Sequence, residues 1–324
     1  MPLRFLAVLI VVALCTPVAA QQAKKIPRIG YLAIASLSAT TERIEAFRQG
    51  LRELGYVEGK NILVEWRSPE GKLDRLSALA AELVRLKVDV IVTGGPAPTR
   101  PAKEATSTIP IVMAWDNDPV GNGFVASLAH PGGNITGLST YYPEISGKQL
   151  ELLKEIVPRL SRVAVLGTSA IAGNAQALKV TERAATAFGV KLQYVDILGP
   201  KDIDTAFRDA INGRADAVLV LTSPVLFFHR TEVAATAVKN HLPVMYQASE
   251  YVEAGGLMTY GANIPDLYRR AAIYVDKILK GAKPADLPVE QPTKFDFVIN
   301  LKAAKQIGLT IPQSVLYRAD KVIK

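Results

Sequence analysis

The sequence predicts an α/β protein of two doubly wound lobes, each built on a parallel sheet with helices on both faces. Two observations predict this class. Short β-branched apolar runs alternate with longer amphipathic stretches, and this alternation begins a second time near the middle of the 324 residues. Near-continuous apolar strands separated by helices are typical of parallel sheets whose two faces are both covered.

Four strands and three helices are predicted in the first half of the chain. The strands are short apolar runs at 27–33, 61–67, 89–95 and 110–115, and the helices lie between them at about 41–54, 73–86 and 98–106. Leucines recur at three- and four-residue spacing between Leu73 and Leu86, which places them on one face of the second helix. That apolar face is expected to cover the sheet.

The second array repeats the pattern. Its strands are predicted at 162–168, 191–197, 217–223, 243–247 and 255–261, and its helices at about 147–157, 174–188, 203–211 and 227–240. The join between the arrays, GGNITGLST at 132–140, is short, and no linker rich in proline and serine separates them. Two such lobes present the carboxyl ends of their strands to a shared cleft, and ligands of open α/β sheets bind at those ends.

Residues 1–20 have the pattern of a secretory signal peptide rather than of a folded element. Arg4 precedes an apolar run from Phe5 to Cys15, and small residues suit cleavage after Ala20. Leu14 stands before Cys15, where a lipoprotein signal requires a small residue, so we expect a soluble periplasmic protein. Cleavage removes the only cysteine, which excludes disulfides, thiolate chemistry and cysteine-ligated metals from the mature chain.

Composition and motifs argue against several classes of function. The formal charge of +8 is spread along the chain without a basic block, so nucleic-acid binding is not expected. The three histidines are scattered without metal-ligand spacing, and the sequence has neither a nucleophile elbow nor a P-loop. We therefore expect no metal, no cofactor and no catalysis.

The segment after the fourth strand, DNDPVGNGFVA at 116–126, contains several partial motifs. As a calcium loop it fails, because Val120 stands at the fifth position and Ser127, rather than a bidentate glutamate, at the twelfth. As a dinucleotide site it lacks the required order of strand, glycines and helix. Asp118 before Pro119 is typical of a helix N-cap, so a helix is predicted to begin there.

Candidate ligand-binding residues are those that directly follow an apolar strand, because the strand ends face the cleft. Glycines there expose backbone N–H groups that suit a carboxylate, aromatic side chains suit a ring, and acidic ones suit an amine. In the first lobe the candidates are Ser36, Gly94, Gly95, Trp115 and Asp116. In the second lobe they are Thr168, Thr222, Ser223, Tyr246 and Glu250.

The C-terminal segment resembles a known family. KILKGAKPADLPVEQPTKFDFVINLKAAKQIGLTIPQSVLYRADKVI at 277–323 is similar to the tail of periplasmic substrate-binding proteins of ABC transporters. That family has a type I periplasmic-binding fold and includes tryptophan- and tyrosine-type binders. AFRQGLRELGYVEGKNILVEWR and VASLAHPGGNITGLS extend the resemblance over most of the chain. One departure is LGTSAIAGN at 166–174, where many members carry an Asn-Pro element, so the ligand of a relative is not carried over.

The resemblance implies a non-catalytic monomer of two lobes joined by three crossovers. Residues 27–137 with about 264–290 are expected in the first lobe, and 138–263 with about 293–324 in the second. It further implies a small organic ligand that is trapped by hinge closure and delivered to ABC permease subunits. The exposed backbone N–H groups, carboxylates and aromatic rings of the candidate loops favour an amino acid or an aromatic carboxylate as that ligand. Two alternatives stay open: a ligand-presenting partner of a membrane sensor, and an exported enzyme. A repressor core of the same fold is not expected in an exported chain without a DNA-binding headpiece.

Overall fold

The computed structural model describes residues 25–140, 144–171 and 173–324, so the predicted signal peptide at 1–20 lies outside the described part. Within that part, every helix is too short or too polar to span a bilayer. In chain order, the first array consists of β1 (Arg28–Leu32), α1 (Thr41–Glu53), β2 (Leu63–Arg67), α2 (Leu76–Arg85), β3 (Val90–Gly94), α3 (Pro96–Ala105), β4 (Ile111–Trp115) and β5 (Ile135–Gly137).

The remaining elements follow in two groups. The second array consists of α4 (Glu144–Ile156), β6 (Arg162–Gly167), α5 (Asn174–Phe188), β7 (Lys191–Asp196), α6 (Asp202–Asn212), β8 (Ala217–Val220), α7 (Pro224–Phe228), α8 (Arg230–Lys239), β9 (Val244–Tyr246), α9 (Ser249–Glu253) and β10 (Met258–Ala262). The C-terminal group consists of α10 (Ile264–Leu279), β11 (Phe295–Asn300), α11 (Leu301–Gln306), α12 (Gln313–Leu316) and β12 (Lys321–Ile323).

The first lobe is a sheet with helices on both faces. Its described strands form a five-stranded parallel sheet in the order β2-β1-β3-β4-β5. Successive residues of a strand point to opposite faces, so Ile91 packs with α2 and α3 while its neighbours Val90 and Val92 pack with α1 and α10. Leu76, Leu79 and Leu83 are all buried, as the apolar face predicted for the second helix requires, whereas Leu73 precedes the helix and is exposed.

The second lobe repeats this arrangement. Its described strands form a seven-stranded sheet in the order β12-β11-β10-β9-β8-β6-β7. On one face, Val163 and Leu219 pack with residues of α4, α11 and α12, and on the other, Leu166 and Val218 pack with residues of α6 and α8. The alternation along β6 and β8 therefore accounts for two covered faces, as in the first lobe.

Along the described residues, the chain passes between the two sheets three times: from β5 to α4, from β10 to α10, and from Glu290 to β11. These passages lie side by side. Ser139 N donates to Glu290 O at 2.9 Å, and Asn263 N donates to Lys294 O at 3.0 Å. The predicted class of two α/β lobes joined by three crossovers is confirmed.

The second sheet is mixed rather than wholly parallel. β11 pairs antiparallel with β10, and β12 pairs parallel with β11. The reason lies in the route of the chain, since β10 ends at the cleft and α10 then packs on the first lobe against α1. The chain re-enters the second lobe from the cleft side, so β11 must run away from the cleft.

The prediction that a helix begins at Asp118 is wrong. Residues 119–123 form a turn, although Asp118 Oδ1 does accept a hydrogen bond from Gly121 N at 2.9 Å, as an N-cap would. Gly123 adopts a positive φ of 69°, which ends the helical path after a single turn. Strands β5, β11 and β12 were not predicted. Ile135–Gly137 and Lys321–Ile323 are too short to give an alternating pattern, whereas β11 has six residues and was missed.

Candidate ligand-binding site

A cleft of about 150 Å³ lies between the two lobes, at the carboxyl ends of both sheets. This is roughly ten times the space that one buried water requires, so the cleft has room for a small organic molecule. Aromatic rings of both lobes line it, namely Trp115, Phe227 and Tyr251, together with aliphatic residues such as Ile34 and Ile264. The wall therefore suits a ligand with an apolar body.

Trp115, the last residue of β4, forms the first-lobe side of the cleft. Its indole packs on Gly95, where an added Cβ would lie 2.7 Å from Cζ2 of the ring. Gly95 also has φ 110° and ψ 178°, a backbone conformation that is essentially restricted to glycine. The Nε1–H of Trp115 is buried and has no hydrogen-bond partner among the described residues. The ring is thus held in place while its donor stays available.

Gln149 of α4 contributes a buried amide to the second-lobe side. Its Nε2 donates to Tyr260 O at 2.7 Å, which fixes the orientation of the amide group. The opposite atom, Oε1, is buried without a partner in the described part of the chain. Gln149 is 1% exposed and lines the cleft, so this acceptor is available to a ligand with a donor group.

The strand-end loops of the second lobe form a connected polar wall. Asn174 donates through Nδ2 to Thr168 O at 2.9 Å and to Thr222 O at 2.8 Å. Thr222 Oγ1 donates to Gln247 Oε1 at 2.9 Å, which leaves the Gln247 amide nitrogen oriented by that contact. Ser223 caps α7 by accepting from Leu226 N at 3.2 Å. These bonds hold the loops after β6, β8 and β9 against one another.

An ion pair crosses the cleft between the lobes. Arg43 of α1 donates through Nε to Glu250 Oε1 of α9 at 2.7 Å, and its Nη2 donates to the same oxygen. The Arg43 guanidinium also lies over the Phe227 ring, 4.8 Å from the ring centre. Burial by itself would raise the pKa of Glu250, but the charge of Arg43, hydrogen bonds to the carboxylate and the charge of Arg230 together keep that pKa below its ordinary value.

The structure places the ten predicted residues in three different surroundings. Trp115, Thr222 and Ser223 line the cleft directly. A second group lies next to the wall and is packed against or hydrogen-bonded to residues that line it: Gly95, Thr168, Tyr246 and Glu250. The remaining three do not line the cleft. Gly94 packs against the Tyr268 hydroxyl, Ser36 accepts from Ala39 N, and Asp116 is fully buried in the loop after β4, where its backbone oxygen accepts from Thr140 N of the wall.

Asp116 is held by its own loop rather than presented to the cleft. Its Oδ1 accepts from Asp118 N at 2.8 Å and from Asn122 Nδ2 at 2.9 Å, while Oδ2 has no partner among the described residues. Burial raises the pKa of this carboxyl to about 7. Within the described part of the chain, no group of acidic, histidine or cysteine side chains is placed to hold a metal ion.

Several residues of the wall were not among the candidates. Arg43 and Gln149 lie within helices, where the sequence gives them the appearance of ordinary polar residues on an amphipathic face. Asn174 and Gln247 could have been predicted from the sequence, because Asn174 begins a helix and Gln247 follows β9 directly. A search that included the first helical turns, as well as the strand ends, would have found both.

Comparison with known proteins places the chain in a family. Residues 28–323 match the sequence model of the family described as ABC transporter substrate binding protein. The chain is 25% identical over 287 residues to the tyrosine-binding protein of Clostridioides difficile (strain R20291), which covers 88% of this chain and 82% of that protein.

Solved structures agree. A conserved domain protein from Vibrio cholerae O1 biovar El Tor superposes with a TM-score of 0.84 at 30% identity, covering 92% of this chain and 100% of that one. The ABC domain from Streptococcus pneumoniae in complex with L-Trp gives a TM-score of 0.84 at 27% identity, with 92% and 99% coverage. The fold is that of type I periplasmic binding proteins, and the chain belongs to the ABC transporter substrate-binding protein family.

Proposed function

We propose that this chain is the periplasmic binding component of an ABC importer and traps a small organic ligand, an amino acid or an aromatic carboxylate, between its lobes. The lobes span 27–137 with about 264–290, and 138–263 with about 293–324. Closure brings polar groups of both lobes to one buried ligand, and the closed form is what the permease subunits recognise. The protein acts as a monomer, without cofactor, and residues 1–20 direct it to the periplasm.

The cleft itself carries this proposal. Aromatic rings line both sides, and one buried donor and one buried acceptor on opposite lobes, Trp115 Nε1 and Gln149 Oε1, have no partner among the described residues. Buried polar atoms without partners are costly, so such atoms on the wall of a cleft favour a ligand that supplies the missing bonds. The tyrosine-binding relative and the L-Trp complex support an amino acid as that ligand.

The proposal assigns a binding role rather than a catalytic one. The described wall carries no histidine, and its serine hydroxyls are not paired with a general base. Ser223, for example, accepts bonds from Leu226 N and Thr168 Oγ1. Nucleophilic catalysis requires a base within hydrogen-bond distance of the nucleophile. Of the ten strand-end residues predicted from the sequence, we propose that Trp115, Thr222 and Ser223 contact the ligand. The other seven are proposed to support the loops of the binding site from behind the wall.

A thermal-shift screen of the mature protein against amino acids, aromatic carboxylates and sugars tests this function. A ligand that binds only the folded protein stabilises it by about 2.7 kcal/mol at a hundredfold excess over Kd. We expect amino acids or aromatic carboxylates to raise the melting temperature, and sugars to leave it unchanged. Stabilisation by sugars alone would contradict the proposed ligand class, and chemical conversion of a stabilising compound would contradict the binding role.

A further inference from the structure

One ion pair sets the charge of the cleft wall. Among the described residues that line the cleft, Arg43 is the only one with a formal charge. Its side chain is 4% exposed and is paired with Glu250, whose side chain is 15% exposed. Arg43 belongs to the first lobe and Glu250 to the second, so closure of the lobes brings the neutralising carboxylate to the arginine. The pair as a whole carries no net charge.

Glu250 stays ionised in this arrangement. Burial favours its protonated form, but the Arg43 guanidinium, hydrogen bonds to the carboxylate and the more distant Arg230 charge together hold the pKa of Glu250 below its ordinary value. The Phe227 ring covers the same guanidinium at 4.8 Å, and the Arg230 guanidinium lies 5.1 Å from the centre of that ring. In the closed arrangement the Arg43 charge is therefore balanced by Glu250 rather than by a ligand.

The two unpartnered polar atoms of the wall are electrically neutral. Trp115 Nε1–H can donate one hydrogen bond and Gln149 Oε1 can accept one, and neither carries a formal charge. They lie on opposite lobes, so a ligand that spans the closed cleft must offer an acceptor to the first lobe and a donor to the second. A zwitterionic amino acid offers both, in its carboxylate and its ammonium group.

We propose that the closed cleft selects ligands without net charge, and zwitterionic amino acids in particular, with Trp115 and Gln149 binding their polar groups and the Arg43–Glu250 pair rejecting singly charged analogues. This inference rests on the proposed function and decides between the two ligand classes named there. An aromatic carboxylate would bring one negative charge, and Arg43, the one charged residue among the described residues of the wall, is already paired with Glu250. Burying an unbalanced charge is strongly unfavourable.

Titration calorimetry with matched compounds tests the inference on the mature protein. L-tyrosine is compared with 3-(4-hydroxyphenyl)propionate, which lacks the ammonium group, and with tyramine, which lacks the carboxylate. The corresponding sets for L-tryptophan and L-phenylalanine are measured in the same way. We expect at least one zwitterion to bind roughly 100-fold more tightly than both of its singly charged analogues.

We expect Glu250→Gln to shift the preference of the cleft from the zwitterion towards the anionic analogue. It leaves the Arg43 charge without its partner, so we expect affinity for the propionate analogues to rise roughly tenfold or more while affinity for the zwitterion falls. Glu253→Gln is the matched control, because it removes one negative charge from the same helix at an exposed position that contacts Lys321 rather than Arg43. The control is expected to retain the preference for the zwitterion.

The double variant Arg43→Gln, Glu250→Gln keeps the cleft neutral. It provides a second test of the inference if Glu250→Gln alone does not fold. It is expected to retain the preference for the zwitterion, although the lobes lose a contact. The inference is overturned if the propionate analogues bind the natural chain as tightly as the zwitterions, or if Glu250→Gln folds and binds the anions no better. In those cases the proposed function survives, whereas failure of every amino acid and every aromatic carboxylate to bind would overturn both.

Discussion

At the scale of single residues, Asp116 fastens the end of β4 to the first crossover. Its backbone oxygen accepts from Thr140 N at 2.7 Å and from Ser139 Oγ at 3.0 Å, while its side chain closes the turn that follows. The carboxyl is fully buried, and burial raises its pKa to about 7. The folded protein therefore holds this proton in a pH range where an unfolded aspartate, with a pKa of about 3.9, has lost it.

This difference makes the stability of the protein depend on pH in a defined direction. The contribution of Asp116 to the stability of the folded protein is fully present below about pH 4. It is lost as the pH rises through the folded-state pKa of about 7. Asp116→Asn keeps an oxygen for the two accepted bonds and removes the titration. We expect the free energy of unfolding of the natural chain to fall, relative to Asp116→Asn, by on the order of 4 kcal/mol between pH 4 and pH 8.

Urea denaturation of both proteins at several pH values measures this difference directly. Contributions from other titrating groups cancel, because the two chains share them. A difference in unfolding free energy that stayed constant over this pH range would contradict a buried, protonated Asp116.

Sequence reasoning reached part of the site because parallel strands end at a common edge. Trp115, Thr222 and Ser223 line the cleft, and each lies at or just beyond the end of an apolar strand. Arg43 and Gln149 could not be found in this way. Both residues lie within helices, and no local pattern shows that these helices border the cleft. Their role depends on tertiary contacts, namely those of Arg43 to Glu250 and of Gln149 to the Tyr260 carbonyl.

At the scale of elements, the contact of α1 with α10 depends on a glycine. A Cβ added to Gly50 would lie 2.2 Å from Arg269 O and 2.9 Å from the Ala272 Cβ, so the two helices approach more closely than any other residue allows. This contact matters for the site, because α1 carries Arg43 and α10 follows the second passage between the lobes. Close packing of this kind tolerates no added methyl group without a shift of backbone.

Two glycine-to-alanine substitutions within helices are therefore expected to act in opposite directions. Gly50→Ala should reduce the free energy of unfolding by about 1–3 kcal/mol, because the added methyl group overpacks the helix contact. Gly147→Ala in α4 is the matched control. Its added Cβ meets its nearest neighbour at an ordinary 3.7 Å, so the better helix propensity of alanine should raise stability by up to about 1 kcal/mol.

Chemical denaturation of the two variants and of the natural chain gives both values. Equal effects of the two substitutions, or stabilisation by Gly50→Ala, would contradict the close approach of α1 and α10.

Most elements of the fold were predictable because their apolar runs are long enough to show a period. The strands around Val90–Gly94 and Ala217–Val220 are almost continuously apolar, and α2 has a clear leucine face. Two features were beyond such patterns. Gly123 ends the helical path that Asp118 and Pro119 begin, and the direction of β11 follows from the packing of α10 on the other lobe, which no local pattern encodes.

At the scale of the whole molecule, the lobes contact each other on both sides of the cleft. One contact is the Arg43–Glu250 pair, and the other brings the loop after β6 to the loop after β4. There, an added Cβ at Gly173 would lie 3.3 Å from the Asp118 Cβ. Both contacts join residues of different lobes, so under the proposed hinge closure we expect them to form together when the cleft closes and to separate together when it opens.

Disulfide trapping across this second contact measures closure directly. The Cβ distance is slightly below the roughly 3.5–4.5 Å that a disulfide requires, and a cysteine at Gly173 must adopt a φ near 86°, so both cysteines need a small backbone shift. The sequence has no cysteine beyond Cys15, so Asp118→Cys with Gly173→Cys gives one defined pair in a chain that begins at Gln21. Each single-cysteine variant is the control for non-specific oxidation. The reduced double variant must still bind the ligand identified by thermal shift.

We expect that ligand to increase the rate of cross-linking under mild oxidation, as followed on non-reducing gels, and the cross-linked protein to release its ligand only after reduction. These results follow if the ligand is trapped between the lobes, because bound ligand favours the closed form in which the two cysteines meet. A cross-linking rate that the ligand leaves unchanged or lowers, in a double variant that still binds it, would contradict capture by closure of the two lobes.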